Sequence, residues 1–144
     1  MAKLYVSAVI DAPVEKVWKL VRDFNGLPHW FPGVTDSRLE GSLGGDHVGC
    51  VRSFGLEGGG RMREQLLAFS DAEHVLTYKM LEAPVPMSSY RATVRLLPVT
   101  DGDRTFAELK SEFVSAPEQE GALAAFLQKT YQAAWERVKQ HCAR

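Results

Sequence analysis

The chain has little of several features that define whole classes of protein. It has two cysteines in 144 residues. Cys50 and Cys142 lie far apart and form no CxxC or CxxxC pair, so neither a disulfide framework nor a cysteine-based zinc site is expected. The net charge is −1, from 17 Lys and Arg against 18 Asp and Glu. This balance favours neither nucleic acid nor an anionic membrane surface as a partner.

Targeting, membrane and metal-binding signals are also missing. The N-terminus MAKLYVSAVIDAP has no basic region followed by an apolar stretch and a cleavage site. No apolar run approaches the ~20 residues that a membrane helix needs. No phosphate-binding loop or nucleophile elbow is present, and metal-ligand spacing is absent from the four histidines, His29, His47, His74 and His141. We therefore expect a cytoplasmic protein with no metal, no cofactor, no nucleic-acid partner and no membrane insertion.

What the chain does have is apolar periodicity over most of its length. Alternation predicts seven strands, at 3–10, 35–40, 48–57, 61–69, 74–81, 87–99 and 105–115. Helical spacing predicts a short helix over 14–24, after Pro13, and Trp30 and Phe31 follow on a short helix or turn. A long helix follows SAPEQE, with acidic residues near its start and basic residues near its end.

This order of elements predicts an α+β protein with one domain over residues 1–144. Strands connected by hairpins form an antiparallel sheet, and the apolar C-terminal helix must cover its concave face. A strongly twisted sheet of seven strands curves around that helix, with the two short helices after strand 1. Because one helix fills only part of the space inside, a pocket should remain, of the kind that binds small molecules.

Two charged residues share the inward face of adjacent strands with apolar residues. Arg52 alternates in step with Phe54 and Leu56, and Glu64 alternates in step with Met62. If Gly58–Gly60 form a three-residue hairpin loop, Phe54 lies opposite Glu64, and Arg52 and Glu64 are diagonal neighbours. An unpaired buried charge is costly, so the two should pair or face a wet cavity. We expect the side chains of Arg52 and Glu64 to face the cavity. A structural bridge at the end of the barrel, or a bulge that turns both outward, remains an alternative.

The same parity argument selects further candidates for the cavity wall. Tyr78 and Met80 share one face of their strand, and Tyr90 and Ala92 share one face of the next. The predicted members of the wall beyond those already named are Tyr78, Met80, Tyr90, Ala92, Ser111, Phe126, Thr130 and Ala134. Such a stripe is as often plain core as ligand site, and Tyr90 is nearly as well explained as a core tyrosine with a satisfied hydroxyl.

The segments IDAPVEKVWKLVRDFNGLPHWFPGV, VGCVRSF and EAPVPMSSYRATVRL, with the closing helix, resemble the START-like, helix-grip superfamily. The similarity spans almost the whole chain and is nearest to the polyketide cyclase/dehydrase and lipid-transport branch. It implies the helix-grip fold and an internal ligand cavity. Its motifs identify a fold rather than a reaction, because the superfamily includes hormone receptors, lipid carriers and ring-closing enzymes.

Within that branch, VGCVRSF, REQL and SSYRATV look like the plant abscisic acid receptors and their bacterial relatives. The resemblance implies that Glu64 matches a water-organising glutamate and Tyr90 a pocket tyrosine. It also implies a gate loop at Gly58, Gly59 and Gly60 and a latch loop at EAPVPM, with Pro84 and Pro86. The chain departs from the receptors, because the gate is reduced to glycines, the latch lacks His-Arg-Leu, and the second strand has no lysine. An abscisic acid receptor is therefore a poor interpretation.

Two functions from different classes are compatible with this pattern. The first is a module that binds or carries a hydrophobic small molecule, such as a lipid, polyketide or isoprenoid-like compound, as a monomer or homodimer. The second is a cyclase/dehydratase in which Glu64 or Tyr90 moves a proton and Arg52 steadies an enolate oxygen. The first is favoured because no His–carboxylate pair is evident. A protein-partner module acting through the gate surface rests on the receptor analogy alone.

Overall fold

The protein folds as a curved antiparallel sheet that grips one long helix. The computed structural model describes all residues from Met1 to Arg144. Seven strands form a single sheet in the order β1-β7-β6-β5-β4-β3-β2, and they span Ala2–Ile10 (β1), Val34–Glu40 (β2), Val51–Leu56 (β3), Arg61–Ser70 (β4), Val75–Glu82 (β5), Met87–Val99 (β6) and Arg104–Ser115 (β7). The predicted α+β helix-grip architecture is confirmed.

The long helix α2, Pro117–His141, closes the concave side of the sheet. Pro117 occupies its first turn, where a missing N–H costs nothing. Its buried face contains Leu127, Tyr131, Ala134, Trp135 and Val138. The indole Nε1 of Trp135 donates to the carbonyl of Val6 in β1, 3.2 Å away. This contact ties the helix to one edge of the sheet.

The two short helices after β1 are confirmed in number, but their bounds differ from the prediction. Helix α1 spans Val14–Val21, and a 3-10 helix spans Phe24–His29. The chain breaks between them because Asp23 adopts an extended conformation and caps the second helix, accepting a hydrogen bond from the backbone of Asn25 at 3.2 Å. Trp30 lies in the turn that follows the second helix, which is one of the two predicted alternatives.

The hairpin between β3 and β4 has a different register from the predicted one. The backbone N–H of Leu56 bonds to the carbonyl of Gly60 at 3.1 Å, so the three loop residues are Glu57–Gly59. Phe54 therefore lies opposite Met62, and Arg52 lies directly opposite Glu64. The loop is odd in length, as the parity argument requires, but it lies one residue earlier in the sequence. That displacement shifts the pairing by two residues and leaves every inward face unchanged.

Strand β4 does not keep one face inward along its whole length. The pairing with β5 shifts between Leu66 and Ala68, which is the signature of a β-bulge. As a result Ala68 is exposed, although strict alternation places it inward with Leu66, and Phe69 packs against the core instead. A second shift, between Arg63 and Glu64, has its extra residue, Leu81, in β5. The alternation of β4 is therefore unbroken up to Leu66, and the Glu64 carboxylate stays on the inward face.

Candidate functional site

A cavity of about 560 Å³ lies between the concave face of the sheet, helix α2 and the segment that follows the 3-10 helix. Its wall contains 21 residues, 13 of them hydrophobic. The buried members, such as Glu64, Tyr78 and Tyr90, mark an inner end. The exposed members, such as Gly59, Pro84 and Phe126, mark the mouth. The cavity is therefore apolar over most of its wall and polar at its inner end.

Most of the candidate residues lie in this wall. The predicted residues that line the cavity are Arg52, Phe54, Leu56, Met62, Glu64, Tyr78, Tyr90, Phe126, Thr130, Gly59 and Pro84. Phe126 is 64% exposed although it lines the cavity, because it lies on the helix face beside the mouth.

Four of the predicted wall residues lie outside the cavity. Ala92 and Ala134 are almost completely buried in the core, where their small side chains are covered by neighbours. Ser111 lies behind Tyr131, whose hydroxyl donates to its Oγ at 2.8 Å. Met80 faces inward opposite Glu64 and packs against the core, but the wall at this place is formed by Glu64 and Tyr78. These four residues face the interior of the protein, but they do not contact the cavity.

The two loops at the mouth touch each other. Gly58, Gly59 and Gly60 all have positive φ, at 86°, 107° and 90°, a conformation that glycine adopts without steric cost. A Cβ on Gly60 would lie 2.8 Å from Cγ of Pro84. Of the gate and latch residues, Gly59 and Pro84 line the cavity, whereas Gly58, Gly60 and Pro86 are exposed and outside its wall.

The charged pair at the inner end is almost completely buried. Arg52 and Glu64 are each 3% exposed. Nε and Nη2 of Arg52 donate to Oε1 of Glu64 at 3.0 and 2.7 Å, and Nη1 donates to the carbonyl of Phe24 at 2.9 Å. Burial raises the pKa of the Glu64 carboxyl, and the Arg52 charge opposes that shift. The two predicted alternatives are thus combined, because the pair forms a bridge and also lines the cavity.

Aromatic rings surround the guanidinium of Arg52. Its Cζ lies 3.9 Å from the ring centroid of Phe24, 4.7 Å from that of Tyr78 and 5.6 Å from that of Phe54. Aromatic faces attract a cation, and more strongly when water is excluded. The arginine therefore has both its hydrogen-bonding edge and its faces engaged by the protein.

One oxygen of the pair remains free. Both hydrogen bonds from Arg52 end on Oε1 of Glu64, and none ends on Oε2. Trp30 Nε1 is the only fully buried side-chain nitrogen or oxygen without a partner, so Oε2 must be reachable from the cavity. The same reasoning applies to the hydroxyl of Tyr78, which makes no hydrogen bond of normal length and is not among the fully buried atoms, although the nearby Tyr90 hydroxyl opposes the rise in its pKa. Burial strongly raises the pKa of Tyr78, which keeps its proton.

A second polar cluster connects the cavity wall to helix α2. Tyr131 donates to Oγ of Ser111 at 2.8 Å, and the hydroxyls of Tyr90 and Tyr131 are 2.5 Å apart. Because Tyr131 has given its only proton to Ser111, Tyr90 must be the donor between the two tyrosines. Burial raises the pKa of Tyr131 to about 12 and raises that of Tyr90 well above its ordinary value of 10.0. The hydroxyl proton of Tyr90 is therefore not available to a ligand.

Tyr131 is the main residue of this region that the sequence reasoning missed. The predicted inner stripe of the helix passed through Phe126, Thr130 and Ala134, whereas the buried stripe passes through Leu127, Tyr131 and Ala134. A signal was present, since Leu127, Tyr131, Ala134 and Val138 also recur at four and three residues. The sequence reasoning also missed ten residues that line the cavity. Most are residues in or next to loops and turns, namely Leu27, Phe31, Pro32, Gly33, Val34, Val85 and Met87. The others are Glu57 at the mouth and Leu123 and Leu127 on the helix.

Comparison with known proteins agrees with this geometry. A family model described as polyketide cyclase / dehydrase and lipid transport matches residues 1–143. The chain belongs to this family. No helix of this member of the polyketide cyclase/dehydrase and lipid transport family combines the length and apolarity needed to cross a membrane.

Solved structures similar to this family member cover nearly all of its length. A protein from Nitrosospira multiformis is 29% identical, with a TM-score of 0.84 over 99% of this chain and 97% of that one. The ZhuI aromatase/cyclase from Streptomyces sp. R1128 is 18% identical, with a TM-score of 0.83 over 99% and 94%. A START superfamily protein from Mycobacterium smegmatis is 12% identical, with a TM-score of 0.81 over 97% and 96%. At these last two identities the likeness is one of fold.

Proposed function

We propose that the protein binds or carries a hydrophobic small molecule, of lipid, polyketide or isoprenoid-like type, in its internal cavity. The observation that carries this proposal is the largely apolar cavity of about 560 Å³, which is within the usual size range of small-molecule sites. In this proposal the chain acts as a single ligand-binding domain in the cytoplasm, as a monomer or homodimer and without a cofactor. The apolar wall binds the body of the ligand, and the polar inner end orients it.

The test begins with what the protein carries. Native mass spectrometry of the purified protein, followed by solvent extraction, should detect an apolar compound in stoichiometric amount. Met62→Trp should reduce this load, because Met62 lines the cavity and a larger side chain there occupies ligand space. Met80→Trp is the matched control, since Met80 is also partly buried and packed against the core but lies outside the wall. Equal loads in both variants, or no binding of any apolar compound, would contradict the proposal.

A second function, a cyclase or dehydratase acting on a polyketide-like substrate, is favoured by one observation. Oε2 of Glu64 is free and faces the cavity, and burial raises the pKa of this carboxyl above its ordinary value, which is the direction that a general base working near neutral pH needs. Tyr78, which lines the same cavity and is a diagonal neighbour of Glu64 on the adjacent strand, would donate to a developing oxyanion. In this proposal Glu64 is the base, and Arg52 limits how far its pKa rises.

A substitution of Glu64 distinguishes the two proposed functions. Once a ligand is known, Glu64→Gln in a carrier should change affinity by no more than a hydrogen bond to a charged group contributes, about 1.5–3 kcal/mol. In an enzyme the same change should leave binding largely intact and lower turnover by about 10²-fold or more. A variant unchanged in both respects would leave Glu64 with a purely structural role.

A further inference from the structure

Arg52 has the chemistry of a carboxylate receptor, but Glu64 already occupies its Nε–Nη2 edge, and three of its five N–H groups donate within the protein. All three of its side-chain nitrogens donate within the protein, two of them to Glu64 and one to the backbone of Phe24. The positive charge is therefore balanced by a negative charge 2.7 Å away. A ligand carboxylate would have to displace Glu64 or lie beside it, and either arrangement is unfavourable in a buried site.

The free groups at the inner end have a different preference. Oε2 of Glu64 can only accept a hydrogen bond while the carboxylate is ionised, and the hydroxyl of Tyr78 can donate one. The two side chains are same-face diagonal neighbours, because Met80 lies opposite Glu64 and Tyr78 precedes it by two residues. A ligand hydroxyl donates one hydrogen bond and accepts another, so it matches both groups. A carboxylate offers only acceptors and would meet the lone pairs of Oε2.

We infer that the inner end of the cavity selects neutral ligands that carry a hydroxyl group, alcohol or phenol, and rejects carboxylates of the same shape. This inference rests on the proposed function, that the cavity binds hydrophobic small molecules. The hydroxyl donates to Oε2 of Glu64 and accepts from Tyr78, and the apolar remainder points along the cavity toward Phe126 at the mouth. Free fatty acids and other carboxylic acids are then poor ligands, in spite of the buried arginine.

A matched series of small aromatic probes tests the selection. We would measure displacement of the neutral fluorophore N-phenyl-1-naphthylamine by 2-naphthol, 2-methylnaphthalene and 2-naphthoate at pH 7. The expected order of affinity is 2-naphthol first, by about tenfold over 2-methylnaphthalene, since a hydrogen bond to a charged group is gained. The carboxylate 2-naphthoate should bind weakest. No displacement by any probe would contradict the proposed function, whereas equal displacement by all three would overturn only the selection.

Two variants test the residues that we assign to this selection of hydroxyl-bearing ligands. Glu64→Gln removes the charge that neutralises Arg52, so the affinity for 2-naphthoate should rise by about tenfold or more relative to 2-naphthol. Tyr78→Phe removes an unpartnered hydroxyl and should fold normally, which keeps a test available if Glu64→Gln does not fold. It should lower the affinity for 2-naphthol several-fold and leave 2-methylnaphthalene unchanged.

The control is Tyr5→Phe, which removes an exposed tyrosine hydroxyl outside the cavity and should change none of the three affinities. The inference is overturned if 2-naphthoate binds the unmodified protein better than 2-naphthol does. It is equally overturned if Tyr78→Phe weakens 2-naphthol and 2-methylnaphthalene to the same extent.

Discussion

Arg52 and Glu64 lie directly opposite each other on β3 and β4, and two hydrogen bonds of 2.7 and 3.0 Å join them in the interior. Because the pair is neutral as a whole, the apolar cavity contains charged groups without a net charge. Desolvation of two ions is expensive, so such a pair does not have to stabilise the fold. Its orientation toward the cavity, with one carboxylate oxygen free, is the observation that supports the role proposed for it in the site.

Breaking this pair should be more costly than replacing it. Glu64→Gln leaves a buried guanidinium without a counter-charge, and we expect a loss of about 3–5 kcal/mol in the free energy of unfolding. The double variant Arg52→Met/Glu64→Leu removes both charges and should recover most of that loss. Urea unfolding of the three proteins measures both effects.

The exposed bridge between Glu40 and Arg63 provides the comparison for this experiment. Its side chains are about one-third exposed, so Glu40→Gln should change stability far less than Glu64→Gln. If the double variant is as unstable as the single one, packing rather than charge is the source of the loss.

Removal of the hydroxyl at the centre of the Tyr90–Tyr131–Ser111 cluster should destabilise the fold. Tyr131→Phe leaves the buried hydroxyls of Tyr90 and Ser111 without the partner they share. We expect a loss of about 1–3 kcal/mol in the free energy of unfolding, the usual cost of unsatisfied buried groups. Tyr5→Phe, at an exposed tyrosine, should cost less, and a cost equal to that of Tyr131→Phe would contradict this account.

The buried tyrosines predict how stability depends on pH in the alkaline range. Burial raises the pKa values of Tyr78, Tyr90 and Tyr131 above the ordinary value of 10.0, that of Tyr131 to about 12. Above pH 10 the folded state therefore holds more protons than the unfolded state, and stability must fall as pH rises. Phenolate absorbance should appear together with loss of the native circular dichroism. Ionisation of these phenols near pH 10 in the folded protein would show that they are accessible to water.

Asp71 predicts that stability also depends on pH in the acidic range. Its carboxylate accepts a hydrogen bond from the indole of Trp18 at 2.7 Å and one from Nε of Arg22 at 2.8 Å. The hydrogen bond from Arg22 is the main reason that the pKa of Asp71 lies below its ordinary value of 3.8. A lowered pKa in the folded state stabilises the protein above that value, and the contribution is lost as pH falls through the native pKa. Asp71→Asn should lower the urea midpoint at pH 7, and the difference should shrink below pH 3.8. A difference independent of pH would assign the effect to geometry instead of charge.

The contact between the gate and latch loops can be tested with two glycines of similar backbone conformation. Gly58 and Gly60 have φ values of 86° and 90°, so alanine is strained at both, by roughly 1–2 kcal/mol. Only at Gly60 would the new Cβ meet Pro84, at 2.8 Å, while nothing lies within 4 Å at Gly58. Gly60→Ala should therefore speed release of N-phenyl-1-naphthylamine in stopped-flow measurements, relative to Gly58→Ala. Equal release rates would mean that the contact does not close the mouth.

The architecture could be predicted from the chain because it depends on periodicity and order. Alternating segments such as Met87–Val99 can bury only one face, and the amphipathic helix Pro117–His141 must cover that face. The inward direction of Arg52 and Glu64 follows from the same parity, since a shift of two residues leaves each side chain on its face. These properties are local, and the sequence alone determined them.

What the sequence could not determine is which inward residues touch each other and which reach the cavity. The direct opposition of Arg52 and Glu64 depends on a hairpin that closes at Leu56 and Gly60, and the alternation is compatible with either loop position. Ala68 turned outward because a bulge changed the phase of β4. Tyr131 became a buried hydrogen-bond partner of Tyr90 through the rotation of α2 about its axis. Loop closure, bulges and helix rotation are set by packing across the whole fold, so only the tertiary structure decided them.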